Sequence, residues 1–195
     1  MDDFSAIRNF VSRFVSFTEA EWKAHEVLLQ KKLIKKGDYL LKAGEVCNHV
    51  TFINKGYFRV FHNLGEEELT DNFAFEGNYV TDYPSFVSRR PTDDNIVAME
   101  DAEVLLLEYK DLQTTYEQYP VWQKFGRMIA EYILLFVVDR NKALLFLSPE
   151  ERYVKLMKDR PKVIANVPLK YIASYLGITP EALSRIRKRM STKIE

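Results

Sequence analysis

Cysteine is nearly missing from this 195-residue chain: only Cys47 is present, so an intramolecular disulfide framework is excluded. Long apolar runs are missing as well. The longest runs from Ile133 to Val138, far below the roughly 18 residues a spanning helix needs, and no apolar leader follows Met1. The expectation is a cytoplasmic protein with no membrane part. Neither charge sign is in excess, since 28 Lys and Arg face 28 Asp and Glu; a protein that coats nucleic acid indiscriminately is thereby excluded. No internal repeat or low-complexity tract occurs. No nucleophile–base pair, phosphate-cradling glycine loop or carboxylate dyad stands out, so no enzyme is expected. Cys47, His49 and His62 lack the tight His-x-His and following acid of a cupin-like metal site, so no metal is expected, and Cys47 reads as a small buried hydrophobe.

What is present is concentrated at the C-terminus. Ile172, Leu176, Ile178, Leu183 and Ile186 are spaced to bury two short helices against each other. Ala173 falls where those helices must cross closely, and Gly177 where the turn demands a positive φ. Thr179 offers an N-cap hydroxyl, Pro180 takes the first helical position, and Glu181 suits the positive end of the helix dipole. The stretch from Leu169 to Ile186 therefore reads as a helix-turn-helix. Its exposed positions carry Ser184, Arg185, Lys188 and Arg189, with Arg187 and Lys193 nearby, and such a helix can read base edges and hold phosphates. From Pro161 to Glu195 seven bases face two acids, which leaves 21 bases and 26 acids for the remainder. A basic tip on a faintly acidic body suits targeted contact with double-stranded DNA.

Upstream, Phe4, Ile7, Phe10, Val11 and Phe14 recur at helical spacing, and a capping box at Thr18 and Glu21 opens a second short helix through Trp22 and Leu28. After Lys36 short β-rich runs follow: Tyr39 to Leu41, Val50 to Ile53, Tyr57 to His62, Leu69 to Phe75, Ile96 to Met99 and Val104 to Leu107. Glycines at 37, 44, 56, 65 and 77 punctuate them, the pattern of an antiparallel roll or jelly roll. The segment from Gly77 to Asn95 is the longest break and the expected pocket wall, with Tyr79, Asp82, Tyr83, Arg89 and Arg90 as its candidate effector-binding residues. Pro120 begins the longest helix. Trp122, Phe125, Ile129, Tyr132, Phe136, Ala143 and Phe146 fall largely on one seam, while Met128, Leu134, Leu135, Val137, Val138, Leu144 and Leu145 lie on other faces. Such a helix needs two neighbours, and the expectation is one face on the roll and the other on a second copy's same helix, with dimerisation along the seam from Trp122 to Phe146 and Trp122, Phe125, Ile129, Tyr132 and Phe136 as its interface residues. Ser148, Pro149 and Glu151 restart the chain as N-cap, N1 and capping-box residues.

The reading is thus an α+β chain in three parts: a sensor roll over 1–119, a dimerisation helix over 120–147 and a DNA-binding domain over 148–195, with little or no wing. This order of parts resembles the cyclic AMP receptor protein and FNR (CRP/FNR) family of bacterial transcription regulators, most specifically from Tyr171 to Arg185, where Glu181, Ser184 and Arg185 match the family's Glu-x-x-Ser-Arg pattern. The Gly44-Glu45 turn, the stretch Ile53 to Tyr57 and the segment after Gly77 match more loosely. The resemblance implies that these three residues read bases, that Thr179, Lys188 and Arg189 support them, that two copies bind a near-palindrome, and that RNA polymerase is a partner. It also implies an effector, but where the family's nucleotide binders place a Glu and an Arg, this chain offers Asp82 and then Asp93 and Asp94. An acid facing a phosphate is repulsive, so neither cyclic AMP nor cyclic GMP is expected, and one cysteine cannot ligate an iron–sulfur cluster; haem is not expected either. The alternative class is a ligand-binding or scaffold roll that has lost DNA binding, and a β-roll enzyme is a third.

Overall fold

The computed structural model describes residues 4–191. The chain forms two compact units, the first built from the residues up to Phe61 together with Phe73–Tyr132, the second from His62–Asn72 and the residues from Ile133 onward.

The first unit opens with α1 (Ser5–Ser12), whose Ile7, Phe10 and Val11 are buried, and α2 (Glu19–Glu26). The capping box at α2 is complete: the Glu21 N–H donates to the Thr18 hydroxyl at 3.2 Å and the Thr18 N–H to the Glu21 carboxylate at 2.7 Å. This reciprocal pairing satisfies two end donors and fixes where the helix begins. Eight strands follow: β1 (Gln30–Ile34), β2 (Tyr39–Leu41), β3 (His49–Lys55), β4 (Tyr57–Leu64), β5 (Glu67–Phe75), β6 (Tyr79–Val80), β7 (Asp94–Ala98) and β8 (Ala102–Glu108). They make two four-stranded sheets in the orders β1-β8-β3-β6 and β2-β7-β4-β5. The pairs β1–β8, β3–β8, β3–β6 and β2–β7 are antiparallel. The expected antiparallel roll is there, with a core around Phe52, Ile53, Phe58, Ile96 and Leu105.

Four elements of this part of the chain were not anticipated. β1 buries only Ile34 among its five residues, so it shows no apolar alternation; it is an edge strand, and its lysines suit an edge. β6 has two residues. The segment from Gly77 to Asn95 is not irregular, for it holds β6, the helix α3 (Tyr83–Ser88) and the start of β7. α4 (Tyr109–Gln118) follows β8 directly and buries Leu112 and Thr115.

α5 (Pro120–Phe146) is the long helix, and its start corrects the expected seam. Trp122 is 1% exposed and Phe125 8%, both within the roll's core, and Ile129 packs against the same core. The reason is aromatic: Trp122 meets Phe17, Trp22, His25 and Phe125 within 6.4 Å. These residues serve the first unit's own interior. Tyr132 is exposed. Among the described residues no helix is long and apolar enough to cross a membrane.

The second unit contains the tip of the β4–β5 hairpin, α5 from Ile133, α6 (Pro149–Asp159), α7 (Pro161–Asn166), α8 (Leu169–Tyr175) and α9 (Pro180–Ser191). Ser148 and Glu151 form the second complete capping box. Phe136 is half-buried here, with the Arg160 guanidinium 5.8 Å from its ring centroid. Pro161, read from sequence as part of a connection, starts a short helix whose Val163 is buried.

Candidate nucleic-acid interface and effector segment

α8 and α9 share a dry core. Ile172, Ala173 and Leu183 are fully buried and Leu176 and Ile186 nearly so, joined by Tyr153 and Leu156 of α6 and Val163 and Val167. The turn closes as the sequence requires. Gly177 sits at φ 66°, and the Ile178 N–H donates back to the Ala173 carbonyl at 3.0 Å. The Thr179 hydroxyl accepts the Ala182 N–H at 3.2 Å, capping α9.

Burying Leu183 and Ile186 turns the opposite face of α9 outward. Glu181, Ser184, Arg185 and Lys188 stand at i, i+3, i+4 and i+7 and are exposed, as are Thr179 and Arg189. The Glu181 carboxyl is held below the usual range by its own backbone N–H, by the Thr179 hydroxyl and by Arg185. It is a fixed acceptor at neutral pH. Arg189 also reaches Glu150 of α6 at 3.1 Å, which ties the end of α9 to the start of α6. Chemically, the face offers one carboxylate, one hydroxyl and a fork-shaped guanidinium beside further cations, a set matched to base edges and phosphates. Lys193, and any wing beyond α9, lie outside the described residues.

The candidate effector residues do not line one open pocket. Tyr79 is in aromatic contact with Phe10, Phe52 and Phe125, and burial pushes its phenol pKa up. It is part of the core. Asp82 is buried and caps α3, accepting the Ser85 N–H at 2.8 Å and the Thr92 hydroxyl. Arg89 adopts a left-handed backbone at φ 59°. Its guanidinium donates to the Cys47 carbonyl at 2.7 Å, the Phe86 carbonyl at 2.9 Å and the Asn48 side chain, and lies 4.0 Å from the Tyr109 ring centroid. Ser85, absent from the sequence-based candidates, links the parts: its hydroxyl accepts the Cys47 N–H at 2.9 Å and donates to the Arg90 carbonyl at 2.6 Å. Tyr83 is half-buried and Arg90 exposed. The α3 segment is therefore stitched to Cys47 and Asn48 by the side chains of Ser85 and Arg89. A cleft of about 310 Å³ lies elsewhere, on the β1–β2 turn between Lys32 and Lys42.

Cys47 is buried with its Sγ 3.3 Å from the His49 carbonyl and from the Thr81 hydroxyl. His49 Nδ1 pairs with the Thr51 hydroxyl at 3.0 Å. Among the described residues no group of three or more His, Cys, Asp or Glu side chains is placed to hold a metal ion.

Residues 31–119 match the family model of the cyclic nucleotide-binding domain. Comparison with curated protein sequences gives no match. Among solved structures the chain is similar to FixK2 from Bradyrhizobium japonicum, with a TM-score of 0.72 at 19% identity over 85% of each chain. A putative crp/fnr-family transcriptional regulator from Eubacterium rectale gives 0.72 at 13% identity, covering 99% of this chain and 89% of that one. The c-di-GMP-responsive global regulator CLP of Xanthomonas campestris gives 0.69 at 14% identity, over 90% and 93%. The chain shares the fold of these regulators, and its residues 31–119 match the cyclic nucleotide-binding domain model.

Proposed function

We propose that this chain is a transcription regulator of the CRP/FNR type that binds DNA as a homodimer and acts on RNA polymerase at promoters. One observation carries the reading: behind a fully closed helix-turn-helix, α9 turns Glu181, Ser184 and Arg185 outward on a single face, followed by Lys188 and Arg189. In this reading residues 1–119 sense, 120–147 dimerise and 148–195 bind DNA. Arg185 grips a guanine through O6 and N7, Glu181 accepts from a cytosine amino group, and Ser184 supports both. Lys188 and Arg189 hold phosphates, and Thr179 fixes the start of the reading helix. The chain does no covalent chemistry.

Dimerisation is assigned to the part of α5 that its own chain leaves uncovered. Leu134 and Leu145 are 62% and 76% exposed, and with Val138 they form one stripe, on the opposite side of the helix from Trp122 and Phe125. A second copy of this stripe is the simplest cover. The sensor segment is diverged, with Asp82 and Arg89 both committed to internal hydrogen bonds, so the effector is neither cyclic AMP nor cyclic GMP.

The test compares two substitutions on matched and scrambled duplexes. Arg185→Ala costs about 1 to 3 kcal/mol on the matched site and relaxes preference at one base pair, whereas Lys188→Ala weakens all duplexes alike and flattens the salt dependence. Equal losses on both duplexes for Arg185→Ala overturn the assignment.

A further inference from the structure

The second unit contains one piece of chain remote in sequence from all the rest, the β4–β5 tip at His62–Asn72. It carries Glu66, Glu67, Glu68 and Asp71, all exposed, and no Lys or Arg. This acidic tip is fastened to α8, the first helix of the helix-turn-helix. The Ser174 hydroxyl accepts the Thr70 N–H at 2.8 Å and donates to the Glu68 carbonyl at 3.0 Å, so one side chain bridges two backbone groups of the hairpin. Two arginines complete the joint. Arg160 donates to the Asn72 side chain at 2.9 Å. Arg140 lies 3.7 Å from Asp71, donates to the Tyr175 carbonyl at 3.2 Å and stacks 3.9 Å from the Tyr175 ring centroid.

In a helix-turn-helix the first helix crosses the phosphate backbone while the second enters the groove. Carboxylates docked on that helix oppose any phosphate that approaches within about one Debye length, roughly 8 to 10 Å. We propose that the β4–β5 tip is an electrostatic brake: docked on α8 through Ser174, its carboxylates hold DNA affinity down, and undocking raises it. The inference rests on the reading that α8 and α9 bind DNA. The two strands of the hairpin continue from the tip into the second sheet, so the tip is joined to that sheet by unbroken backbone.

The experiment measures affinity of the full chain by fluorescence anisotropy for a duplex that the wild type selects from a random pool. Ser174→Ala removes the bridge without changing charge, and the brake requires tighter binding, about fivefold or more for the loss of two hydrogen bonds from the docked state. Ser174→Thr keeps the hydroxyl and restores wild-type affinity. Converting Glu66, Glu67 and Glu68 to Gln also tightens binding, less so as salt rises, and adding Ser174→Ala to that variant gains nothing further. Unchanged or weaker binding by Ser174→Ala, with an unaltered melting temperature, overturns the brake, and so do gains that simply multiply. A wild-type chain that retains no duplex overturns the DNA reading itself and the brake with it.

Discussion

His25 lies face to face with Trp122, ring centroids 4.0 Å apart, and is 2% exposed. Neither of its ring nitrogens has a hydrogen-bond partner among the described residues. Burial among Phe17, Trp22 and Trp122, with only Glu26 nearby as acceptor of the Trp22 indole N–H, pushes the imidazole down to about 4. The unfolded chain, with an ordinary histidine near 6.5, therefore binds a proton that the folded one refuses. Stability is full above pH 6.5 and falls as the pH drops toward 4, by about 3 kcal/mol in all. The measurement is denaturant unfolding at successive pH values between 7 and 5, above the range where carboxylates titrate. His25→Phe should make that arm shallower, leaving the part that belongs to His49, which burial also pushes down, and keep the neutral-pH fold intact; an unchanged slope sinks the account. None of this was legible at His25 itself. The turn and cap signals at Gly177 and Thr179 are local, so sequence reasoning found them, whereas His25 acquires its environment from Trp122, nearly a hundred residues away.

At the scale of elements, α5 shows what periodicity can and cannot say. An apolar surface all round announces two neighbours, but not which stripe meets which, because both stripes are apolar at the same spacing. Trp122 and Phe125 join the first unit's aromatic core, and the stripe at Leu134, Val138 and Leu145, exposed in the single chain, is the one proposed for a second copy. Leu134→Glu should accordingly fold normally, since the position is open in the single chain, yet bury an unpaired carboxylate in a dimer and weaken it on the order of a thousandfold. Light scattering after size exclusion at micromolar concentration reads the outcome; a Leu134→Glu dimer, or a monomeric wild type, refutes the stripe. α3 was illegible for another reason. Six residues with Pro84 near the start are too short for a helical pattern, and what holds them is Asp82 capping the Ser85 N–H, with Ser85 and Arg89 bonding to the Cys47 backbone just before β3. Because those groups are already paired, titration calorimetry with cyclic AMP and cyclic GMP should give no heat, and micromolar binding of either would mean that the segment opens.

The whole molecule was legible in its order of parts, because each part announces itself locally: capping boxes at Thr18 and Ser148, glycine-punctuated strands, and the cap-and-turn chemistry from Gly177 to Pro180. The membership of the β4–β5 tip in the second unit was not legible. Its contacts to Ser174 are made by the Thr70 N–H and the Glu68 carbonyl, and backbone groups carry no mark in a sequence. The basic end on a neutral chain likewise points to DNA without saying how two reading helices are spaced. The proposed twofold dimer joined along α5 would fix that spacing: its two copies of α9 should meet half-sites about one helical turn, roughly 34 Å, apart on one face of the duplex. Inserting about 5 bp between the half-sites turns the second one to the far side, and affinity should fall toward that of a single half-site. Inserting a full turn of about 10 bp returns it to the same face but farther away, so recovery should be partial, limited by how far the paired units can be drawn apart. Electrophoretic mobility shift across the insertion series tests this, and equal affinity for all spacings would mean that the two helix-turn-helix units bind independently rather than as one dimeric reader.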